Sequence, residues 1–133
     1  MNPRLLIIDD EEMILRVYAR ALGRDFVVSC AADVETAIAL GDVIFDAILC
    51  DYNLPGLSPR DLHEHLRRRS AEQAARLVVI TGDEPRPHDA FVRMLLATER
   101  YLIKTCPTAM LIATMRRVAF PRLSPVGLPV EAP

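Results

Sequence analysis

The stretch Leu5-Leu6-Ile7-Ile8-Asp9-Asp10-Glu11-Glu12 passes from an unbroken apolar run straight into unbroken acid. An apolar run this short, with no polar alternation, predicts a strand buried on both faces, and the acids mark its exposed carboxyl end. Strands covered on both faces belong to parallel sheets, whose connections are helical crossovers, so a helix should follow. Met13, Ile14, Val17, Tyr18, Ala21 and Leu22 do recur at helical spacing, and Gly23 stops the pattern. Phe26-Val27-Val28-Ser29-Cys30 then returns to strand and completes a βαβ unit.

The alternation continues along the chain. Asp33 caps a second helix through Leu40, with Val34, Ala37 and Ile38 inward, and Phe45-Asp46-Ala47-Ile48-Leu49-Cys50 runs into Asp51. A second acid thus ends a second buried strand. Asn53-Leu54-Pro55-Gly56 is turn chemistry, and Ser58-Pro59 is an N-cap followed by proline at the first position of a helix from Arg60 to about Arg69. Leu77-Val78-Val79-Ile80 is the fourth strand and ends at Thr81-Gly82-Asp83. Pro85 and Pro87 stiffen the loop before a helix near 88–97, and Tyr101-Leu102-Ile103 is a fifth strand ending at Lys104. The last helix runs from Thr108 to about Phe120 on the apolar stripe Leu111, Ile112, Met115 and Val118. Proline recurs too often in 121–133 for helix or central strand, so the chain reads as one domain over 1–120 with a Pro-rich tail or linker.

Five strands alternating with five helices predict an α/β, flavodoxin-like fold, a doubly wound five-stranded parallel sheet of order 2-1-3-4-5. Such sheets bind ligands at the carboxyl ends of the strands where the order reverses, here between the first and third. Asp9, Asp10 and Asp51 fall there.

Composition narrows the function. The chain has 133 residues, 51% apolar and 26% charged, enough for one domain with a sizeable core. Its net charge of −2 gives no electrostatic reason to expect nucleic acid. No apolar run approaches the roughly 20 residues of a membrane span, and the first residues lack signal-peptide anatomy, so no membrane is expected and the chain reads as cytoplasmic. Three cysteines, with Cys30 and Cys50 each ending an apolar run, read as buried thiols of a reducing compartment. His63 and His65 sit at i and i+2 of a helix, which do not face each other, and read as surface residues; Arg67-Arg68-Arg69 reads as a solvated helix end. Lys104 is the only lysine among 16 basic residues, and it ends a buried strand.

Three carboxylates converging on one crevice repel each other and call for a cation. Mg²⁺ suits a shallow site of this kind, since it takes one or two carboxylates and keeps waters and phosphate oxygens as its other ligands. A carboxylate can also act as nucleophile and form an aspartyl-phosphate. Charge on the transferring group then needs a cation and hydrogen-bond donors, and Lys104 and Thr81 sit at neighbouring strand tips.

With these residues in place, the sequence resembles a response-regulator receiver domain, the phosphoacceptor module of two-component signalling, over residues 4 to about 120. The carriers are Asp9-Asp10, Asp51 within Asp51-Tyr52-Asn53-Leu54-Pro55-Gly56, Thr81, and Tyr101-Leu102-Ile103-Lys104. The resemblance implies that Asp51 accepts a phosphoryl group from a histidine kinase or histidine phosphotransfer protein. It implies that Asp10, Asp51 and the main-chain carbonyl of Asn53 hold Mg²⁺, with Asp9 acting through a bound water. Thr81 would hydrogen-bond the phosphoryl group, Lys104 would pair with it, and Tyr101 would swing inward as a switch. The face of the fourth helix, fifth strand and fifth helix would then meet an output protein by contact, with a homodimer through the apolar helix near Phe91 as a further option.

Such a protein is a switch rather than an enzyme, with self-phosphorylation from small donors and self-dephosphorylation as side activities. Asn53 and Asp83, two residues beyond the acceptor and the threonine, are of the polar types that go with quick self-dephosphorylation in that family. Three positions depart from the pattern. Thr105-Cys106 follow the lysine where proline is usual, often through a cis peptide; Ala97-Thr98 replace Gly-Ala before the fifth strand; and Gly82 follows the threonine. Two other functions compete. One is a phosphorylation-independent docking module. The other is a small Mg²⁺-dependent aspartyl phosphatase or phosphotransferase, against which Asn53 stands where such enzymes usually carry a second aspartate.

Overall fold

The computed structural model describes residues 2–86 and 88–121. They form β1 (Arg4–Ile8), α1 (Glu12–Leu22), β2 (Val27–Ala31), α2 (Val34–Ala39), β3 (Ala47–Asp51) and α3 (Pro59–Arg69). Then come α4 (Ala71–Ala74), β4 (Leu77–Thr81), α5 (Ala90–Ala97), β5 (Tyr101–Ile103) and α6 (Thr108–Ala119). The strands make one parallel sheet in the order β2-β1-β3-β4-β5, as the alternation of elements predicts. The expected tail beyond Pro121 lies outside the described residues.

Period-two alternation sends the side chains of each strand to opposite faces. Leu6, Ile8, Ile48, Cys50, Leu77 and Val79 point to one side, where Val34, Leu62, Phe91 and Leu95 of α2, α3 and α5 cover them. Leu5, Ile7, Leu49, Val78 and Ile80 point to the other and meet Leu22 of α1 and Leu111, Met115 and Val118 of α6. The sheet is thus a doubly wound, flavodoxin-like layer, and each fully buried Leu, Ile or Val contributes about 1.5–3 kcal/mol. Among the described residues no helix is long and apolar enough to cross a membrane.

Local signals place the helices. The Asp33 carboxylate accepts from Thr36 N–H and caps α2, and Ser58 and Asp61 form a reciprocal capping box at the start of α3 with Pro59 in its first turn. Among the described residues six helices form where five are expected. The extra one is the single turn α4, whose cap Ser70 accepts from Gln73 N–H; four residues carry too little apolar periodicity to announce a helix.

Four expectations are corrected. On α1 the inward stripe is Leu15, Tyr18 and Leu22, while Met13 and Val17 are 76% and 58% exposed, because apolar residues occupy both sides of this helix and only one side meets α6 and the sheet. Cys50 is buried but Cys30 is exposed, since β2 is an edge strand with a neighbour only in β1. His63 is half-buried rather than superficial, its ring 5.3 Å from that of Phe91. Phe91, Val92 and Leu95 of α5, read as a pairing face, are spent in the core, and Leu96 alone of the large apolar residues there is exposed.

The turn before β5, where Ala97-Thr98 stand in place of Gly-Ala, is reshaped. Its left-handed position falls on Glu99 (φ 54°), a conformation that costs a non-glycine residue on the order of 1 kcal/mol. Arg100, only 7% exposed, steadies the turn by donating to Thr98 Oγ1 at 2.9 Å, Ala74 O at 2.8 Å and Leu77 O at 3.1 Å. The guanidinium binds carbonyls and a hydroxyl instead of a carboxylate, and burial lowers its pKa.

Candidate functional site

Parallel pairing brings the strand tips together. Asp51 ends β3 beside Ile80, Thr81 ends β4 beside Ile103, and Lys104 N–H donates to Thr81 O at 2.7 Å just past β5. Asp9 N–H donates to Ala31 O at 3.1 Å, extending the β1–β2 ladder by one residue and fixing its carboxylate at the crevice. All the expected site residues except the outlying Tyr101 therefore gather at the carboxyl edge where strand order reverses.

Asp9 is 1% exposed and Asp51 6%, while Asp10 faces solvent. One oxygen from each of the three lies within 4.8 Å of the others. Lys104 Nζ stands 3.3 Å from Asp51 Oδ1 and 3.6 Å from Asp9 Oδ2. Asp9 Oδ1 accepts from Glu11 N–H at 2.9 Å, but buried Oδ2 has no hydrogen-bond partner among the described residues.

The electrostatics expose an imbalance. Burial alone lowers the Lys104 ammonium, yet Asp51 and Asp9 outweigh it and hold its pKa above the ordinary lysine value. Burial pushes the Asp51 carboxyl above its ordinary value, Lys104 pulls it back, and the charge of Asp9 pushes it up again. A single ammonium shared between two buried carboxylates is well satisfied itself and leaves them short of positive charge. Asp9 Oδ2, with the shared ammonium at 3.6 Å but no hydrogen bond among the described residues, and the all-oxygen donor set fit a hard divalent cation such as Mg²⁺.

Thr81, fully buried, sits in a polar triangle. Its Oγ1 accepts from Asn53 Nδ2 at 3.3 Å and Asp83 N–H at 3.1 Å, and Asn53 Nδ2 also donates to Asp83 Oδ2 at 3.0 Å. Tyr101 lies at the margin, half-buried against the first core cluster, with its hydroxyl donating to Asp83 O at 3.5 Å. The peptide bond between Lys104 and Thr105, where proline is absent, is cis. Cys106 packs against the second core cluster.

Sequence reading misses Tyr18. The helical pattern marks it only as apolar, but it packs toward the site from α1; burial raises its phenol pKa, and Lys104 opposes that shift. Nothing in a single helical stripe distinguishes a tyrosine near a strand tip from one near the opposite end.

The fold is shared with solved structures. The chemotaxis response regulator CheY4 of Vibrio cholerae is 23% identical and matches over 89% of this chain and 99% of that one, with a TM-score of 0.66. A sensor protein from Polaromonas sp. JS666 is 24% identical over 90% of this chain and 97% of that one, with a TM-score of 0.74. The BeF3-activated DrrB receiver domain is 18% identical over 89% and 97%, with a TM-score of 0.70. No curated protein matches the sequence. The family model of the response regulator receiver domain matches residues 5–116, which span the sheet and the acidic crevice, and the chain belongs to that family.

Proposed function

We propose that this chain is a phosphoacceptor switch of a two-component phosphorelay, with Asp51 as the residue that is phosphorylated. The observation that carries the reading is the Asp51 carboxylate at the tip of β3, 3.3 Å from Lys104 Nζ and clustered with Asp9 and Asp10. One Asp51 oxygen forms a bond to phosphorus as the bond from phosphorus to a histidine nitrogen of the donor breaks, and the electron pair leaves on that nitrogen. A histidine kinase or histidine phosphotransfer protein supplies that donor; a small acyl phosphate substitutes for it, with an oxygen leaving group.

Asp10, Asp51 and the Asn53 carbonyl would hold Mg²⁺, with Asp9 reaching it through water. When bound, the ion neutralises charge on the phosphoryl oxygens. Lys104 supplies a second cation from the protein itself, and Thr81 a hydroxyl. Tyr101 connects the site to the face of α5, β5 and α6, the surface offered to an output protein. The alternative aspartyl phosphatase needs a general acid two residues after the nucleophile, and Asn53 cannot serve, because a carboxamide has no proton to release near neutral pH; its amide donates hydrogen bonds to Thr81 and Asp83 instead.

Intact-protein mass after incubation with Mg²⁺ and acetyl phosphate tests the reading. A single phosphoryl adduct that requires Mg²⁺ and is absent in Asp51→Asn supports it. No adduct in a wild-type protein that also fails to bind Mg²⁺ would replace the switch with a phosphorylation-independent docking module.

A further inference from the structure

Asp83 is exposed on the loop after β4, yet two of its groups reach the site. Its carboxylate Oδ2 accepts from the Asn53 amide at 3.0 Å, and its main-chain N–H donates to Thr81 Oγ1 at 3.1 Å. The same Asn53 amide nitrogen donates to Thr81 Oγ1 at 3.3 Å. A threonine hydroxyl has two acceptor positions and one proton to give. Asn53 and Asp83 fill both acceptor positions, so the capacity left to Thr81 is the donation of its proton.

The orientation of Asn53 decides this. An asparagine amide carries an acceptor on one side and donors on the other, and only the donor side serves Thr81. The carboxylate of Asp83 accepts and never donates when ionised, so it holds the NH₂ group inward and turns the amide oxygen away. Phosphoryl oxygens are themselves acceptors. A hydroxyl preset as a donor meets them without reorganising, whereas one free to rotate must first be ordered.

Resting on the phosphoacceptor reading above, we propose that Asp83 is a positioning residue: through the Asn53 amide it sets the Thr81 hydroxyl as a donor toward the phosphoryl group on Asp51. Asp83 touches neither the phosphoryl group nor a metal-binding oxygen; it meets Asn53 at the side-chain amide, not at the main-chain carbonyl that would hold Mg²⁺. Its influence ends at Thr81, and the whole effect should vanish when that hydroxyl is removed.

The test compares rates of adduct formation from acetyl phosphate, read by intact mass, in wild type, Asp83→Ala, Asp83→Asn, Thr81→Ala and the double variant Asp83→Ala/Thr81→Ala, with Mg²⁺ affinity measured alongside by calorimetry. Asp83→Ala should slow the adduct about fivefold, the equivalent of one hydrogen bond. Asp83→Asn keeps an acceptor oxygen without the charge and should recover most of the rate. In the Thr81→Ala background the Asp83→Ala substitution should be silent, and Mg²⁺ affinity should stay within about twofold throughout.

A full effect of Asp83→Ala in the absence of the Thr81 hydroxyl would overturn the proposal. So would a rate at or above wild type in Asp83→Ala, or a loss of Mg²⁺ affinity matching the loss of rate. If wild type itself forms no adduct, the phosphoacceptor reading fails and the proposal with it; if wild type reacts and Asp83→Ala reacts equally well, only the proposal fails.

Discussion

The ammonium of Lys104 stands 3.3 Å from Oδ1 of Asp51, and it is shared with Asp9 at 3.6 Å. One positive charge thus compensates two nearly buried negative ones. Lys104→Met would leave both carboxylates without a cation and should destabilise the metal-free protein by roughly 2 kcal/mol, less than a fully buried pair because the lysine is partly solvated. Urea denaturation with and without Mg²⁺ checks this, and Mg²⁺ should restore most of the loss.

Asp51 carries the opposite sign in the stability of the free protein. Burial raises its folded-state pKa above the unfolded value, so the folded state holds the proton more tightly and loses stability as pH rises through the carboxylate range. Asp51→Asn removes that penalty and should stabilise the metal-free protein at pH 7 by on the order of 1 kcal/mol. The gain should shrink toward zero as pH falls below the unfolded carboxylate pKa. A pH series of thermal melts reads it, and a gain that persists at low pH would mean a packing effect instead.

Lys104 adds stability at the other end of the scale. Its folded pKa is raised, so its contribution is complete below the unfolded lysine pKa and is lost as pH rises through the folded one. Wild type should therefore lose stability in the alkaline range faster than Lys104→Met, as followed by circular dichroism at fixed urea.

Arg100 holds Ala74 O of α4 and Leu77 O at the start of β4 with one guanidinium nitrogen. Arg100→Ala should cost about 2–3 kcal/mol, since it strands buried carbonyls and removes a packed side chain. Arg100→Lys should recover less than half of this, because an ammonium lacks the planar fork that reaches Thr98 at the same time. Equilibrium unfolding of the two variants decides it.

Gly56 and Gly41 separate two costs of a side chain. Both have positive φ, 81° and 70°, but a Cβ at Gly41 meets open space while one at Gly56 runs into the Glu35 carboxylate that accepts from Leu57 N–H at 3.1 Å. Gly41→Ala should cost about 1 kcal/mol for the left-handed backbone alone. Gly56→Ala should cost more, and Glu35→Ala beneath it should remove the excess.

The strands and the acidic crevice were legible because both are one-dimensional signals. An apolar run ending in a charged residue encodes strand, depth and tip at once, and Leu5 to Asp10, Ile48 to Asp51 and Leu102 to Lys104 all obey it. What escaped was information about which neighbour a side chain meets. Met13 and Val17 have the same chemistry as the buried residues of their helix, and their exposure follows from which side of α1 meets α6 and the sheet. Cys30 escaped for a related reason: its run reads like that of Cys50, but an edge position depends on strand order. The triangle of Asn53, Thr81 and Asp83 spans two loops, so spacing along the chain marks its members as polar without showing that they share hydrogen bonds.

Lys104 is the chain's only lysine, and it lies against Asp51 and Asp9. Supplying ¹⁵N-labelled lysine during growth therefore yields a protein with one labelled side-chain nitrogen, already seated at the crevice. Its resonance frequency reports directly on the field between the two carboxylates, so ion occupancy and any change at Asp51 become visible in an unmutated chain that has no tryptophan to offer as a reporter.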